Sequence, residues 1–132
     1  MEITISQQTG SVPVTVLHVK GQVGVESYQQ LEKEADACLA GGTTCLLLDL
    51  GGVTFLSSSG LRAIHHIFEQ VRASQPEGSD KQMRAGMRDG TYHSSHLKLA
   101  NPSQGVLAVL KTAGFDMFLE IYPNVEKAVA SF

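Results

Sequence analysis

The segment spanning residues 45–62 constrains the fold of this chain more than any other part of the sequence. It reads CLLLDLGGVTFLSSSGLR, so a short apolar run containing Asp49 is followed by two glycines and, further on, by three consecutive serines. An apolar run such as 45–50 is typical of a strand covered on at least one face, and Gly51 and Gly52 are predicted to mark its end. The chain is therefore predicted to pass from a buried strand through a turn into a helix that begins at the serines.

The helix is predicted from Ser58 to about Ala73 because apolar and polar residues alternate there with helical spacing. Its apolar stripe is formed by Leu61, Ile64, Phe68 and Val71. A serine at the helix start can accept a hydrogen bond from a free amide of the first turn and act as an N-cap. The same amides and the positive end of the helix dipole also favour a phosphate group. Both interpretations of the serines stay open at this point.

The residue order in this segment resembles the central motif of the STAS domains, a family named for sulfate transporters and anti-sigma factor antagonists. The family pattern is roughly D-L-S-G-V-x-F-x-D-S-S-G-L, and residues 49–61 here read DLGGVTFLSSSGL. Residues 97–103 and 106–123 look like the last strands and helices of the family. The resemblance covers nearly the whole chain outside residues 75–95 and implies one STAS-like domain.

Two positions depart from the family pattern. The acidic residue that commonly precedes the paired serines is Ser57 here, and the acid of an early G-x-hydrophobic-D element is Gly24. In family members regulated by a serine kinase, the modified residue is typically the first serine after the acid, which corresponds to Ser58. The resemblance therefore implies Ser58 as the phosphoacceptor, with Ser57 and Ser59 as alternatives. The implied partner-binding residues are Ser57, Ser58, Ser59, Gly60 and Arg62.

The hydrophobic pattern predicts an α/β fold with a mixed, mostly parallel sheet of about five strands and about four helices packed against it. Strands are predicted at residues 3–8, 12–20, 45–50, 97–100 and 119–122. Helices are predicted from residue 26 to the Gly41-Gly42 pair, from 58 to 73, from 103 to 112, and from about 124. The first two strands are expected to form a hairpin, and strands joined through helices should be parallel.

The chain is predicted to be a single domain over residues 1–132, with an atypical polar insertion at about 75–95. The insertion is rich in turn residues, whereas residues 79–87 can form a short helix with Met83 and Met87 on one face. A disordered loop is the preferred interpretation, and a small methionine docking surface is the alternative.

Composition and charge exclude several classes of function. The net charge of −3 gives no broad attraction to nucleic acid or anionic lipid, so direct nucleic-acid binding is not expected. No apolar run approaches the roughly 20 residues needed to cross a bilayer, and the first residues lack an export signal. We therefore expect a cytoplasmic protein that is not inserted in a membrane.

The cysteines and histidines do not indicate a metal or a cofactor. Cys38 and Cys45 are expected to be reduced thiols packed in the core. His65 and His66 are adjacent on a helix and face different directions, while His93 and His96 lie in a polar segment. A zinc site would need further ligands close by.

The resemblance implies a regulatory protein-binding module. An enzyme is not expected, because Ser58 has no recognisable histidine and acid partners in the sequence. The preferred function is an anti-sigma factor antagonist that binds a kinase-type anti-sigma factor and is switched off by serine phosphorylation. The alternative is a STAS subunit of a membrane transporter complex, acting as a cytoplasmic structural or regulatory partner. Sensing of a small ligand or lipid ranks last, and the oligomeric state stays open.

Overall fold

The computed structural model of this chain describes residues 1–74 and 94–132. Within them lie five strands and four α-helices, together with a short 3-10 helix at Phe115–Met117. The strands are β1 (Glu2–Thr9), β2 (Pro13–Val23), β3 (Leu46–Leu56), β4 (Leu97–Ala100) and β5 (Ile121–Tyr122). The α-helices are α1 (Tyr28–Ala40), α2 (Ser58–Ser74), α3 (Gln104–Thr112) and α4 (Val125–Ser131).

The five strands form one sheet in the order β1-β2-β3-β4-β5. β1 and β2 are an antiparallel hairpin, and each later strand pairs in parallel with the one before it. A parallel connection needs a crossover of helical length, which α1, α2 and α3 supply. The predicted hairpin and the predicted mixed, mostly parallel sheet are both confirmed.

The two faces of the sheet are covered unequally. One face carries the main core, where the strands bury Leu17, Leu48 and Leu99 under apolar residues of α1, α2 and α3. The other face has a smaller cluster around Val16 and Leu47, and α4 is the one described helix that packs on it. β3 supplies leucines to both clusters in alternation, as the two-residue period of a strand requires.

The prediction that Gly51 and Gly52 end the central strand was wrong. β3 continues through them to Leu56, and β2 continues beside it to Val23, with two register shifts between the strands. A Cβ atom on Gly52 would lie 3.0 Å from the backbone and side chain of Lys20, so glycine lets the two strands approach where the register shifts. The glycines are therefore part of the sheet.

The other element boundaries lie close to their predictions. α2 begins at Ser58 as predicted and β4 has the predicted bounds, whereas α1 begins at Tyr28 and β5 at Ile121, each two residues later than expected. Side chains cap the starts of α3 and α4: the Ser103 hydroxyl accepts from the Val106 N–H at 3.3 Å, and Asn124 accepts from the Lys127 N–H at 2.9 Å. The predicted insertion at about 75–95, including the helix with Met83 and Met87, lies almost entirely outside the described residues.

A buried lysine helps to hold α4 on the smaller core. Lys98 is 4% exposed, and its Nζ donates to the backbone oxygen and the hydroxyl of Ser131, at 3.0 Å each. The same Nζ lies 5.0 Å from the centroid of the Phe132 ring and 5.5 Å from that of Tyr122. These contacts compensate the cost of burying a cation and link the end of α4 to β4.

Both cysteines are free, and both contact the core. Cys45 is buried in the smaller cluster, and Cys38 packs partly against the main core. Burial, with a further contribution from Glu34, raises the pKa of the Cys38 thiol. A raised pKa disfavours the thiolate form of Cys38, as expected of a cysteine that packs against the core.

The described parts of the chain contain no cluster of three or more histidine, cysteine or acidic residues able to hold a metal ion. None of the helices within those parts is long and apolar enough to cross a membrane.

Gly60 allows the first turn of α2 to approach the sheet. A Cβ atom there would lie 2.6 Å from Leu56 Cδ1 and 2.7 Å from the carbonyl oxygen of Val23. Since one of these neighbours is backbone, a larger residue would have to push the helix away from the strand ends.

We predict that Gly60→Ala lowers the free energy of unfolding by about 1–3 kcal/mol through overpacking. The matched control is Gly105→Ala in α3, where an added Cβ meets nothing within 4 Å. There the substitution should raise the free energy of unfolding by about 0.4–1 kcal/mol, because it restricts the unfolded chain. Urea unfolding of both variants tests this, and equal effects at the two positions would contradict it.

Candidate functional site

The candidate site lies where β2 and β3 end and α2 begins. Val23 and Leu56 are paired at the ends of the two parallel strands, and Ser57 connects β3 directly to α2. The Ser57 backbone N–H and its hydroxyl both donate to the carbonyl oxygen of Val23, at 3.0 Å each. Two hydrogen bonds to one acceptor fix the start of the helix to the neighbouring strand.

Ser57, not Ser58, caps α2. The Ser57 hydroxyl accepts a hydrogen bond from the Gly60 N–H at 3.2 Å, which is the side-chain contact expected of an N-cap residue. Because this hydroxyl is occupied as both donor and acceptor, Ser57 is committed to the structure of the helix start. The N-cap role that the sequence suggested for Ser58 is therefore filled by Ser57.

The structure places the other predicted site residues at different depths. Ser58 is exposed at the first position of the 17-residue helix α2, and its hydroxyl has no hydrogen-bonding partner among the described residues. Ser59 is half-buried and Gly60 is buried. Arg62 is exposed four residues after Ser58, the spacing that brings two side chains to one side of a helix. Ser58 and Arg62 are thus both exposed on one side of α2, whereas Gly60 is buried.

The two positions that depart from the family pattern are close together in space. A Cβ atom on Gly24 would lie 3.9 Å from the Ser57 hydroxyl oxygen. The turn that carries Gly24 is braced by Ser27, whose hydroxyl accepts from the Gly24 N–H at 3.0 Å and donates to the Gln22 carbonyl at 2.8 Å. Acidic side chains at both positions would be neighbours, so this chain lacks the pair of carboxylates that the family pattern would place here.

Two large apolar side chains are exposed next to these serines. Val25 is 77% exposed and Phe55 is 55% exposed. Both line an open groove of about 650 Å³ that also includes Ser57 and Glu26. Single exposed hydrophobic residues are common on protein surfaces, whereas two in one groove form an apolar patch of the kind found at interaction sites.

The sequence-based prediction did not include Val25 or Phe55. Phe55 lies two residues after Val53, whose side chain is in the main core, so strand alternation alone would have placed Phe55 in the core as well. It is exposed instead because the register between β2 and β3 shifts between these two positions, and Leu56 rather than Phe55 packs in the core. Val25 carried a usable signal, since it is an apolar residue in a turn between a strand and a helix.

The geometry around Ser58 suits acceptance of a phosphoryl group more than nucleophilic catalysis. No histidine or carboxylate among the described residues is hydrogen bonded to its hydroxyl, so a general base is not provided there. A phosphate on Ser58 would lie at the positive end of the α2 dipole and within reach of Arg62. An enzyme that brought its own base and nucleotide would find an exposed hydroxyl at this position.

Comparison with known proteins gives one consistent result. The sequence model of the STAS domain family matches residues 4–77. The chain is 28% identical over 116 residues to BtrV of Bordetella bronchiseptica, which carries the name of an anti-sigma factor antagonist, and the match covers 86% of this chain and 97% of BtrV.

Solved structures show the same fold. The crystal structure of an anti-sigma factor antagonist from Mycobacterium paratuberculosis has a TM-score of 0.70 at 20% identity, covering 98% of this chain and 93% of that one. The structure of phosphorylated SpoIIAA, a cell fate determinant of Bacillus, has a TM-score of 0.62 at 16% identity, covering 97% of this chain and 96% of that one. The family match spans more than half of the sequence and includes β3, the serines and all of α2, so the chain belongs to the STAS domain family.

Proposed function

We propose that this STAS domain is an anti-sigma factor antagonist whose binding surface is the end of the sheet around Ser58. It binds a kinase-type anti-sigma factor in the cytoplasm, and phosphorylation of Ser58 by that partner ends the association. The phosphoryl-transfer chemistry belongs to the partner, and the chain contributes the acceptor hydroxyl. Support comes from the anti-sigma factor antagonists among its relatives, BtrV in sequence and SpoIIAA in fold.

One observation carries the choice of Ser58: two neighbouring serines have opposite environments. The Ser57 hydroxyl is held by the Val23 carbonyl and the Gly60 N–H, whereas the Ser58 hydroxyl is exposed. A kinase must bring the acceptor oxygen to the γ-phosphate of its nucleotide, which requires an accessible hydroxyl. Modification of Ser57 would break the cap, whereas modification of Ser58 leaves the fold intact.

The surroundings of Ser58 make a phosphate effective as a switch. The groove that contains the exposed patch of Val25 and Phe55 also includes Ser57, so a partner that packs in it contacts the residue next to Ser58 in the chain. A phosphate adds about −1.5 to −2 charges near neutral pH, and those charges would lose water on burial. Arg62 can offset part of this penalty within the free domain, which stabilises the modified form without restoring the interface.

We predict that incubation with the partner kinase and ATP adds one phosphate, located on Ser58 by intact mass and peptide mapping. Ser58→Ala should abolish the addition. Ser57→Ala is the matched control: it should lose about 1 kcal/mol of stability with the cap but still accept phosphate on Ser58. Phosphate on Ser57 or Ser59 of the wild type would contradict the assignment.

A second prediction concerns binding of the anti-sigma factor, measured by calorimetry. Ser58→Ala should bind like the unmodified protein, and Ser58→Asp should bind at least about tenfold more weakly, equivalent to about 1.4 kcal/mol. The control is Ser11→Asp, since Ser11 is an exposed serine in the β1–β2 turn at the opposite end of β2. Equal weakening by both aspartates would indicate a general effect of charge and would argue against the switch.

The apolar patch can be tested separately from the phosphoacceptor. We predict that Phe55→Ala and Val25→Ala each weaken anti-sigma factor binding by more than about 1 kcal/mol, roughly fivefold in Kd, as anchor residues of an interface do. Met117→Ala is the control, because Met117 is 44% exposed in the 3-10 helix, away from the groove. If all three variants bind like wild type, the interface lies elsewhere on the domain.

A further inference from the structure

The sheet face that carries the smaller core also carries a hydrogen-bonded array of Ser6, His18 and Asp49. His18 and Asp49 are partners on the parallel strands β2 and β3, and Ser6 lies on β1 at a diagonal position to His18. The Ser6 hydroxyl is 2.7 Å from His18 Nε2, and His18 Nδ1 is 2.6 Å from Asp49 Oδ2. Three residues separated widely in sequence are thus brought into one chain of hydrogen bonds.

The order of atoms in this array determines which group can act as a base. Asp49 can only accept a hydrogen bond, so the facing Nδ1 carries a hydrogen. In an imidazole with one N–H, Nε2 then has a lone pair that faces the Ser6 hydroxyl. Asp49 is itself fixed, because its Oδ1 accepts from the Gly51 N–H at 2.9 Å. A serine bonded to Nε2 of a histidine whose Nδ1 is held by a carboxylate is the arrangement that activates serine nucleophiles on several unrelated folds.

The array is also accessible. The side chain of His18 is 35% exposed and that of Asp49 is 16% exposed. Ser6 is half-buried on the edge strand β1. The acid is therefore more buried than the imidazole, and both His18 and Ser6 are partly exposed, as an attack on an external electrophile requires.

We propose that Ser6 is a nucleophilic serine, with His18 as its general base and Asp49 as a positioning residue, that accepts acyl groups from small carboxylic esters. Ser6 Oγ attacks the ester carbonyl carbon while its proton moves to His18 Nε2. The tetrahedral adduct then breaks its bond to the alcohol oxygen, and the alcohol leaves with the proton from His18. Water attacks the acyl-serine in the same manner, which releases the carboxylic acid and restores Ser6. This activity is independent of Ser58 and of any anti-sigma factor.

The experiment uses the purified full-length protein and two probes, p-nitrophenyl acetate and an alkyl fluorophosphonate. The ester should acetylate Ser6 with release of p-nitrophenol, and the fluorophosphonate should lose fluoride and label Ser6, as located by peptide mapping. Ser6→Ala should abolish both reactions, and His18→Gln should slow them about 100-fold or more, the usual contribution of a general base. The control Ser11→Ala removes an exposed serine in the β1–β2 turn and should react like wild type.

The role of Asp49 needs a measurement that packing alone would not change. In Asp49→Asn, the new amide can donate to Nδ1, which would move the imidazole proton to Nε2 and remove the base. We expect slower acylation together with an exchange of the two imidazole ¹⁵N chemical shifts in the NMR spectrum of the folded variant. Absence of label on Ser6 of the wild-type protein, or acetyl transfer to His18 itself, would overturn the proposal whatever the variants do.

Discussion

The close contact between the first turn of α2 and the ends of β2 and β3 is the constraint on which the site depends. Gly60 provides the space for it, and the two hydrogen bonds from Ser57 to the Val23 carbonyl fix its geometry. With the helix start fixed in this way, Ser58, the residue after the cap, is exposed to solvent. A phosphate there can alter the surface without disturbing the packing that presents it.

The absence of acids at Gly24 and Ser57 changes how such a switch would work. Two carboxylates beside Ser58 would repel a new phosphate and also present charge to the unmodified partner. Here the neighbouring groove presents the exposed apolar side chains of Val25 and Phe55, together with the acidic residue Glu26. Phosphorylation would then act mainly through the cost of removing water from a dianion in an apolar contact. Binding of the unmodified form would correspondingly depend less on ionic strength.

The fold was predictable from the sequence because its signals are local. Helical spacing in α2, the helix starts near Ser103 and Asn124 and the apolar run of β3 each depend on residues near one another in the chain. The glycines of β3 were misjudged because their role depends on the approach of Lys20 from another strand. The exposure of Phe55, the capping by Ser57 and the array around His18 were missed for the same reason, since each depends on contacts between separate strands or between a strand and a helix.

Among the described residues, α1, α2 and α3 all pack on one face of the sheet and α4 alone packs on the other, and this bears on the array found there. A structural role explains the pair of His18 and Asp49, because a half-buried carboxylate needs donors and obtains them from the imidazole and the Gly51 N–H. It does not require Ser6, since a His18 side chain that is 35% exposed can also bond water. The direct contact between Ser6 and Nε2 is the part of the array that packing does not demand, and it is the contact on which nucleophilic reactivity would depend.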